Sequence, residues 1–145
     1  MTHNGSAPIK VLIIEDGPNI QKIIAEMLLL LGYETACASN GKEGVEKAKS
    51  WQPDIVLTDL RMPVMDGSEV IRHLRSNPDT AHITIFVVSA WTDAGTRDLC
   101  MVLGADKFFA KPLNILKIHS AIQATLKPSP QKTLIPYAAP AAALT

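Results

Sequence analysis

The sequence predicts an α/β fold, a five-stranded parallel sheet of order 2-1-3-4-5 with helices on both faces. Three observations carry that prediction. Short apolar runs rich in β-branched residues alternate with longer stretches whose apolar residues recur at helical spacing. Five such strand-then-helix pairs follow one another, and parallel neighbours need crossover connections of this kind. Glycine, proline and asparagine punctuate the junctions. Right-handed crossovers prune the remaining topologies, leaving the doubly wound order as the natural arrangement of five units.

The first strand is expected over residues 9–15, where Val11-Leu12-Ile13-Ile14 suits a strand covered on both faces. Gly17 and Pro18 break it, and Pro18 fits the first turn of a helix. That helix places Ile20, Ile23, Ile24, Met27, Leu28 and Leu31 at amphipathic spacing, and Gly32 stops it. A second strand is expected over 33–39, then an Asn40-Gly41 turn into a helix over about 42–50. Pro53 precedes a third strand at 54–59, centred on Ile55-Val56-Leu57. A loop at 60–66 contains Pro63, and a helix at 67–76 turns Val70, Ile71 and Leu74 inward. Pro63 and Gly67 are read as shaping that loop and helix entry. The fourth strand, 83–89, is β-branched and aromatic. Thr92 or Asp93 caps a helix reaching about Leu103, where Gly104 ends it. A short fifth strand at 107–110 and a fifth helix at 113–126, with Ile115, Ile118 and Ile122 on one face, complete the domain.

The expected organisation is thus a flexible start at 1–8, one domain at 9–126, and a Pro/Ala-rich tail or linker start at 127–145. Fourteen basic residues balance fourteen acidic ones, so the overall field gives no reason to expect direct nucleic-acid or anionic-membrane partners. Apolar runs such as Met27 to Leu31 are too short to span a bilayer, and residues 1–8 lack a signal-peptide pattern. A cytoplasmic location is expected. Cys37 and Cys100 lack metal-ligand spacing and read as small packing residues. His3, His73, His82 and His119 are scattered and read as surface or satisfied histidines. Asn40-Gly41-Lys42-Glu43-Gly44 lacks the Gly-Lys-Ser/Thr ending of a phosphate loop.

In a doubly wound sheet the ligand site lies beyond the carboxyl ends of the strands, at the switch point between the first and third. The first strand delivers Glu15 and Asp16 to that edge, and the third delivers Asp59. The fourth delivers Ser89 and the fifth delivers Lys111, followed by Pro112. Three crowded carboxylates repel one another unless a cation sits among them. Mg²⁺ favours hard oxygen ligands and commonly takes one or two protein carboxylates plus phosphate oxygens. Asp16 and Asp59 suit direct coordination, with Glu15 reaching the ion directly or through water. A carboxylate can attack phosphorus to give an acyl phosphate, a transfer governed by positioning and charge neutralisation. Lys111 offers a point charge for a phosphoryl oxygen, and Ser89 a hydroxyl.

The stretches Ile14-Glu15-Asp16, Asp59-Leu60-Arg61-Met62-Pro63-Val64-Met65-Asp66-Gly67, Ser89-Ala90 and Gly104-Ala105-Asp106-Lys107-Phe108-Phe109-Ala110-Lys111-Pro112 resemble the receiver domains of two-component response regulators. The resemblance covers about 9–126 and implies a flavodoxin-like (βα)5 fold of the chemotaxis-regulator kind. It implies that Asp59 is the phosphoacceptor and that Glu15 and Asp16 hold Mg²⁺, with Arg61 adding a backbone carbonyl. It further implies that Ser89 is a switch hydroxyl, Phe108 an aromatic switch, and Lys111-Pro112 a cis peptide. The implied donor is a sensor histidine kinase or phosphotransfer protein. The implied output is a protein target docking on the face of the fourth helix, fifth strand and fifth helix, with a phosphorylation-dependent homodimer as a further family option. Such a domain catalyses only its own phosphorylation and dephosphorylation.

Arg61 and Trp91, two residues beyond Asp59 and Ser89, flank the site. They are expected either to screen the acyl phosphate from water or to point into solvent or a partner. Two further functions compete. An aspartyl phosphatase commonly has a second aspartate where Arg61 stands. A receiver-like binding module without phosphorylation does not need all of the acidic, hydroxyl and lysine positions.

Overall fold

A computed structural model describes residues 7–126, so most of the expected flexible start and all of the Pro/Ala-rich tail lie outside the described residues. The elements alternate as β1 (Lys10–Ile14), α1 (Pro18–Leu30), β2 (Glu34–Ala38), α2 (Gly41–Trp51), β3 (Ile55–Asp59), α3 (Gly67–Ser76), β4 (Thr84–Ser89), α4 (Ala94–Leu103), β5 (Lys107–Ala110) and α5 (Ile115–Leu126). All four strand pairings are parallel and the order is β2-β1-β3-β4-β5, as the sequence predicts. None of the described helices is long and apolar enough to cross a membrane.

The period of two along each strand sorts side chains into two cores. Leu12 and Ile14 of β1, Val56 of β3 and Ile85 and Val87 of β4 face α2, α3 and α4, where Val45, Ala48, Val70, Ile71, Leu74 and Cys100 meet them. Val11, Ile13, Ile55, Leu57, Phe86 and Val88 face the other way, onto Ile24 and Leu28 of α1 and Ile118 and Ile122 of α5. Burying each such side chain contributes about 1.5–3 kcal/mol, so both faces must be covered together. This explains why the strands read as nearly continuous apolar runs.

Caps set several boundaries. Asn40 accepts from the Glu43 N–H at 2.8 Å and starts α2. Asp66 and Glu69 form a reciprocal capping box at α3. Of the two candidates before α4, Asp93 caps it, accepting from Thr96 N–H at 3.0 Å. The fifth helix begins at Ile115, two residues later than the hydrophobic pattern suggests. Asn114 accepts from the Leu116 and Lys117 N–H groups and ends the preceding loop.

Arg75 ties the end of the sheet remote from the strands' carboxyl ends. It donates to the carbonyls of Gly104, Ala81 and Ile83 and to the Asp106 carboxylate, which also accepts from Ile85 N–H. Gly104, at φ 121, leaves room for this arrangement; a Cβ there would lie 2.8 Å from the Arg75 side chain.

The α1 stripe is covered only in part. Ile24 and Leu28 are buried, whereas Ile20 and Ile23 are each 48% exposed and Met27 is 41% exposed. Helical spacing identifies an apolar stripe, but the width covered depends on how closely α5 approaches.

Candidate phosphoryl and metal site

Glu15, Asp16 and Asp59 meet because β1 and β3 are adjacent and end at the same level, Ile14 pairing with Thr58. One carboxylate oxygen from each lies within 4.8 Å of the others. Their environments differ. Asp16 is exposed, Asp59 is half-buried, and Glu15 is only 6% exposed. Burial pushes the Glu15 carboxyl above its ordinary range, and the charges of Asp59 and Asp16 push the same way; the Gly17 N–H, donating at 3.0 Å, and Lys111 oppose them. Closely spaced hard oxygens around a buried carboxylate make a donor set suited to a divalent cation such as Mg²⁺. The residues therefore fit the ion that the sequence suggests.

Lys111 crosses from the end of β5. Its Nζ donates to Asp59 Oδ2 at 2.9 Å and lies 3.7 Å from Glu15 Oε1. Burial pulls the ammonium pKa down, but the hydrogen bond and charge of Asp59, joined by Glu15 and Asp16, leave it raised. Asp59 Oδ1 accepts from the Leu60 N–H at 2.7 Å. Both carboxylate oxygens of Asp59 are thus oriented by donors. The Lys111-Pro112 peptide is cis.

Ser89 is fully buried at the end of β4, and its Oγ accepts from the Trp91 N–H at 2.9 Å. Its carbonyl accepts from the Lys111 N–H at 2.9 Å, joining the hydroxyl and ammonium positions through the backbone. Phe108 is half-buried against the α4-side core, with the Arg97 guanidinium 5.8 Å from its ring centroid. Arg61 and Trp91 do not extend separately into solvent. The guanidinium lies over the indole at 4.3 Å, joining the loop after β3 to the loop after β4.

Several supporting residues carry no sequence signal of their own. Gln21 Nε2 donates to the carbonyls of Glu15 and Ala38, fastening the ends of β1 and β2. Val64 holds φ 71 in the loop after Asp59, a left-handed conformation unfavourable for a β-branched residue. Gly67 does more than open α3. A Cβ there would lie 2.4 Å from the Asp59 carbonyl oxygen and 2.8 Å from Leu60 Cα. Backbone atoms cannot swing aside, so Gly67→Ala must displace either α3 or Asp59. The expected result is destabilisation by about 1–3 kcal/mol, read by denaturant unfolding, with slower modification of Asp59. Unchanged stability would show that the close approach is dispensable.

An apolar groove opens beside the carboxylates. It encloses about 290 Å³ and reaches from Asp59 and Lys111 past Pro112 and Leu113 to Ile20, Ile23 and Met27. The exposed part of the α1 stripe forms one wall.

Residues 11–123 match the model of the response regulator receiver domain. The response regulator ArlR of Staphylococcus saprophyticus is 35% identical over 126 residues, covering 87% of this chain and 56% of that protein. The chain spans about half the length of the first sequence relatives it matches. Among solved structures, chemotaxis protein CheY4 of Vibrio cholerae aligns with a TM-score of 0.78 at 28% identity, covering 83% of this chain and 100% of that one. A receiver domain of a sensor histidine kinase from Pseudomonas aeruginosa, with magnesium coordinated in its active site cleft, aligns with a TM-score of 0.75 at 30% identity; coverage is 81% of this chain and 97% of that one.

Proposed function

Because the chain belongs to the response regulator receiver domain family, we propose that Asp59 accepts a phosphoryl group from a phosphohistidine on a partner kinase or phosphotransfer protein. The observation that carries this reading is the Lys111 ammonium on Asp59 Oδ2 at 2.9 Å, beside a three-carboxylate cluster. Glu15, Asp16, Asp59 and the Arg61 carbonyl would hold Mg²⁺. When bound, the ion supplies charge neutralisation for the phosphoryl oxygens.

Asp59 attacks phosphorus in line; an O–P bond forms, the donor's P–N bond breaks, and its electron pair remains on the imidazole. Lys111 turns from the carboxylate to the transferred phosphoryl oxygens. Ser89 rotates towards the same oxygens, giving up the Trp91 N–H. That release frees the loop before α4, lets Phe108 repack, and biases the α4-β5-α5 face between two states that a protein target reads. A protein donor reaching Asp59 covers Ile20, Ile23 and Met27, exposed along the adjoining groove. The chemistry is performed by the domain on itself. The aspartyl-phosphatase alternative lacks support at position 61, where a guanidinium stacked on Trp91 offers no acid.

Exposure to a small acyl phosphate with Mg²⁺ tests the reading: the chain should gain one phosphoryl group by intact mass, dependent on the ion. No gain would overturn it. The Arg61–Trp91 stack should also slow hydrolysis of the product. An exposed cation–π pair contributes about 0.5–1 kcal/mol, so Trp91→Ala or Arg61→Ala should speed phosphoryl loss by roughly two- to fivefold. Unaltered decay in both variants would remove the screening role.

A further inference from the structure

Two of the three clustered carboxylates sit where the sheet no longer carries the chain. Asp59 is the last residue of β3 and pairs with Val88 of β4. Glu15 and Asp16 lie beyond the end of β1, whose strand pairings stop at Ile14. Asp16 is exposed as well, so its place depends on the residues either side of it.

One residue of α1 grips both of those neighbours. The Gln21 backbone N–H donates to the Gly17 carbonyl at 2.9 Å, the opening bond of the helix. Gln21 Nε2 donates to the Glu15 carbonyl at 2.9 Å and to the Ala38 carbonyl at 3.1 Å. Ala38 O also accepts the Glu15 N–H at 3.0 Å, and the Gly17 N–H returns to Glu15 Oε2 at 3.0 Å. The turn that carries Asp16 is thus closed on both sides, through the backbone of Gln21 at one end and its side chain at the other. Both side-chain partners are carbonyl oxygens, so only the NH2 end of the amide can face them. A helical side chain leans towards its helix N-terminus, which brings this half-buried amide over the strand ends.

Such holding matters to the choice of ion. Mg²⁺ demands near-ideal octahedral geometry, whereas Ca²⁺ accepts about six to eight oxygens in flexible arrangements. We propose that Gln21 is a positioning residue that fixes Glu15 and Asp16 against Asp59 and tilts the site towards Mg²⁺ over Ca²⁺. That role rests on reading the cluster as the Mg²⁺ site, and adds what holds its geometry.

Gln21→Met keeps the length of the side chain and removes both of its donors. Titrations with MgCl₂ and CaCl₂ at constant ionic strength, followed by the NMR shifts of the Gly17 and Leu60 amides, give the Kd of each ion. Both N–H groups donate to carboxylates of the cluster. The substitution should raise the Mg²⁺ Kd roughly tenfold or more. The Ca²⁺ Kd should rise by less than about threefold. Modification by an acyl phosphate at saturating Mg²⁺ should stay within about twofold of wild type, the split expected of a residue that acts on ion binding alone. Thr80→Val is the control for stability. It deletes a buried hydroxyl bond to the Leu74 carbonyl, between α3 and β4 at the opposite end of the domain, and should leave both Kd values unchanged. Should Gln21→Met not fold, Gln21→Asn, one methylene shorter, takes its place with the same expectation. An unchanged Mg²⁺ Kd, equal weakening of both ions, a rate deficit that saturating Mg²⁺ does not repair, or the same change in Thr80→Val would each overturn the proposal. The phosphoacceptor reading survives all four if the wild-type chain binds Mg²⁺ and gains a phosphoryl group. A wild-type chain that binds no Mg²⁺ overturns both.

Discussion

An Asp59→Asn chain should gain no phosphoryl group from an acyl phosphate with Mg²⁺, its modification rate falling by at least about a thousandfold because the nucleophile itself is gone. The geometry makes the substitution informative. Asp59 Oδ1 accepts from Leu60 N–H and Oδ2 from Lys111. Asparagine can present an oxygen to only one of these donors, and its amide nitrogen must face the other. The variant therefore loses the attacking carboxylate and leaves Lys111 or the Leu60 N–H poorly matched. It also removes one of three neighbouring negative charges, which offsets part of that loss. A folded variant by circular dichroism that gains no mass locates the chemistry. Mass gain at the wild-type rate would mean that another side chain accepts the group.

Much of this site was legible in the sequence because topology did the placing. Buried parallel strands read as β-branched runs, and their ends carry Glu15, Asp59, Ser89 and Lys111 to one edge. Such runs fix which residues end a strand to within about one position, enough to bring these groups together. What the sequence does not disclose depends on approach distances. Nothing in the pair Glu15-Asp16 says that the first is buried and the second exposed; that follows from Gly17 and Lys111 closing over Glu15. Nothing in Arg61 or Trp91 says that they stack, because the contact joins loops thirty residues apart in sequence. The exposure of Ile20, Ile23 and Met27 is hidden for the same reason. Periodicity reports a face, and only packing against α5 decides how much of it is covered. Gly67 was legible as a helix entry, but its contact with the Asp59 backbone required the two elements to be in place.

Adding Mg²⁺ should raise the thermal stability of the chain, and Asp16→Asn should abolish most of that increment. Glu15 carries the reason. Its carboxyl is raised above the ordinary 4.5, first by burial and then by Asp59 and Asp16. A raised carboxyl means that the native chain binds more protons than the unfolded one. Its contribution is therefore favourable at low pH and is lost as pH climbs from about the ordinary value through the raised one. Above that window the cluster holds a buried carboxylate that Lys111 and the Gly17 N–H offset only in part. A divalent cation bound by the native chain reverses the deficit. At about ten times its Kd it adds roughly 1.4 kcal/mol, or about 3–6 °C in Tm for a domain of this size. Protons compete for the same oxygens, so the increment should grow as pH rises from the ordinary carboxylate range through the raised range of Glu15. Asp16→Asn should leave the ion-free chain at least as stable as wild type, since it removes a like charge from beside Glu15, while weakening the ion's hold. Thermal unfolding with MgCl₂, against NaCl of equal ionic strength, separates specific binding from screening. An increment that NaCl reproduces, or that survives Asp16→Asn undiminished, would mean that the three carboxylates do not form a cation site.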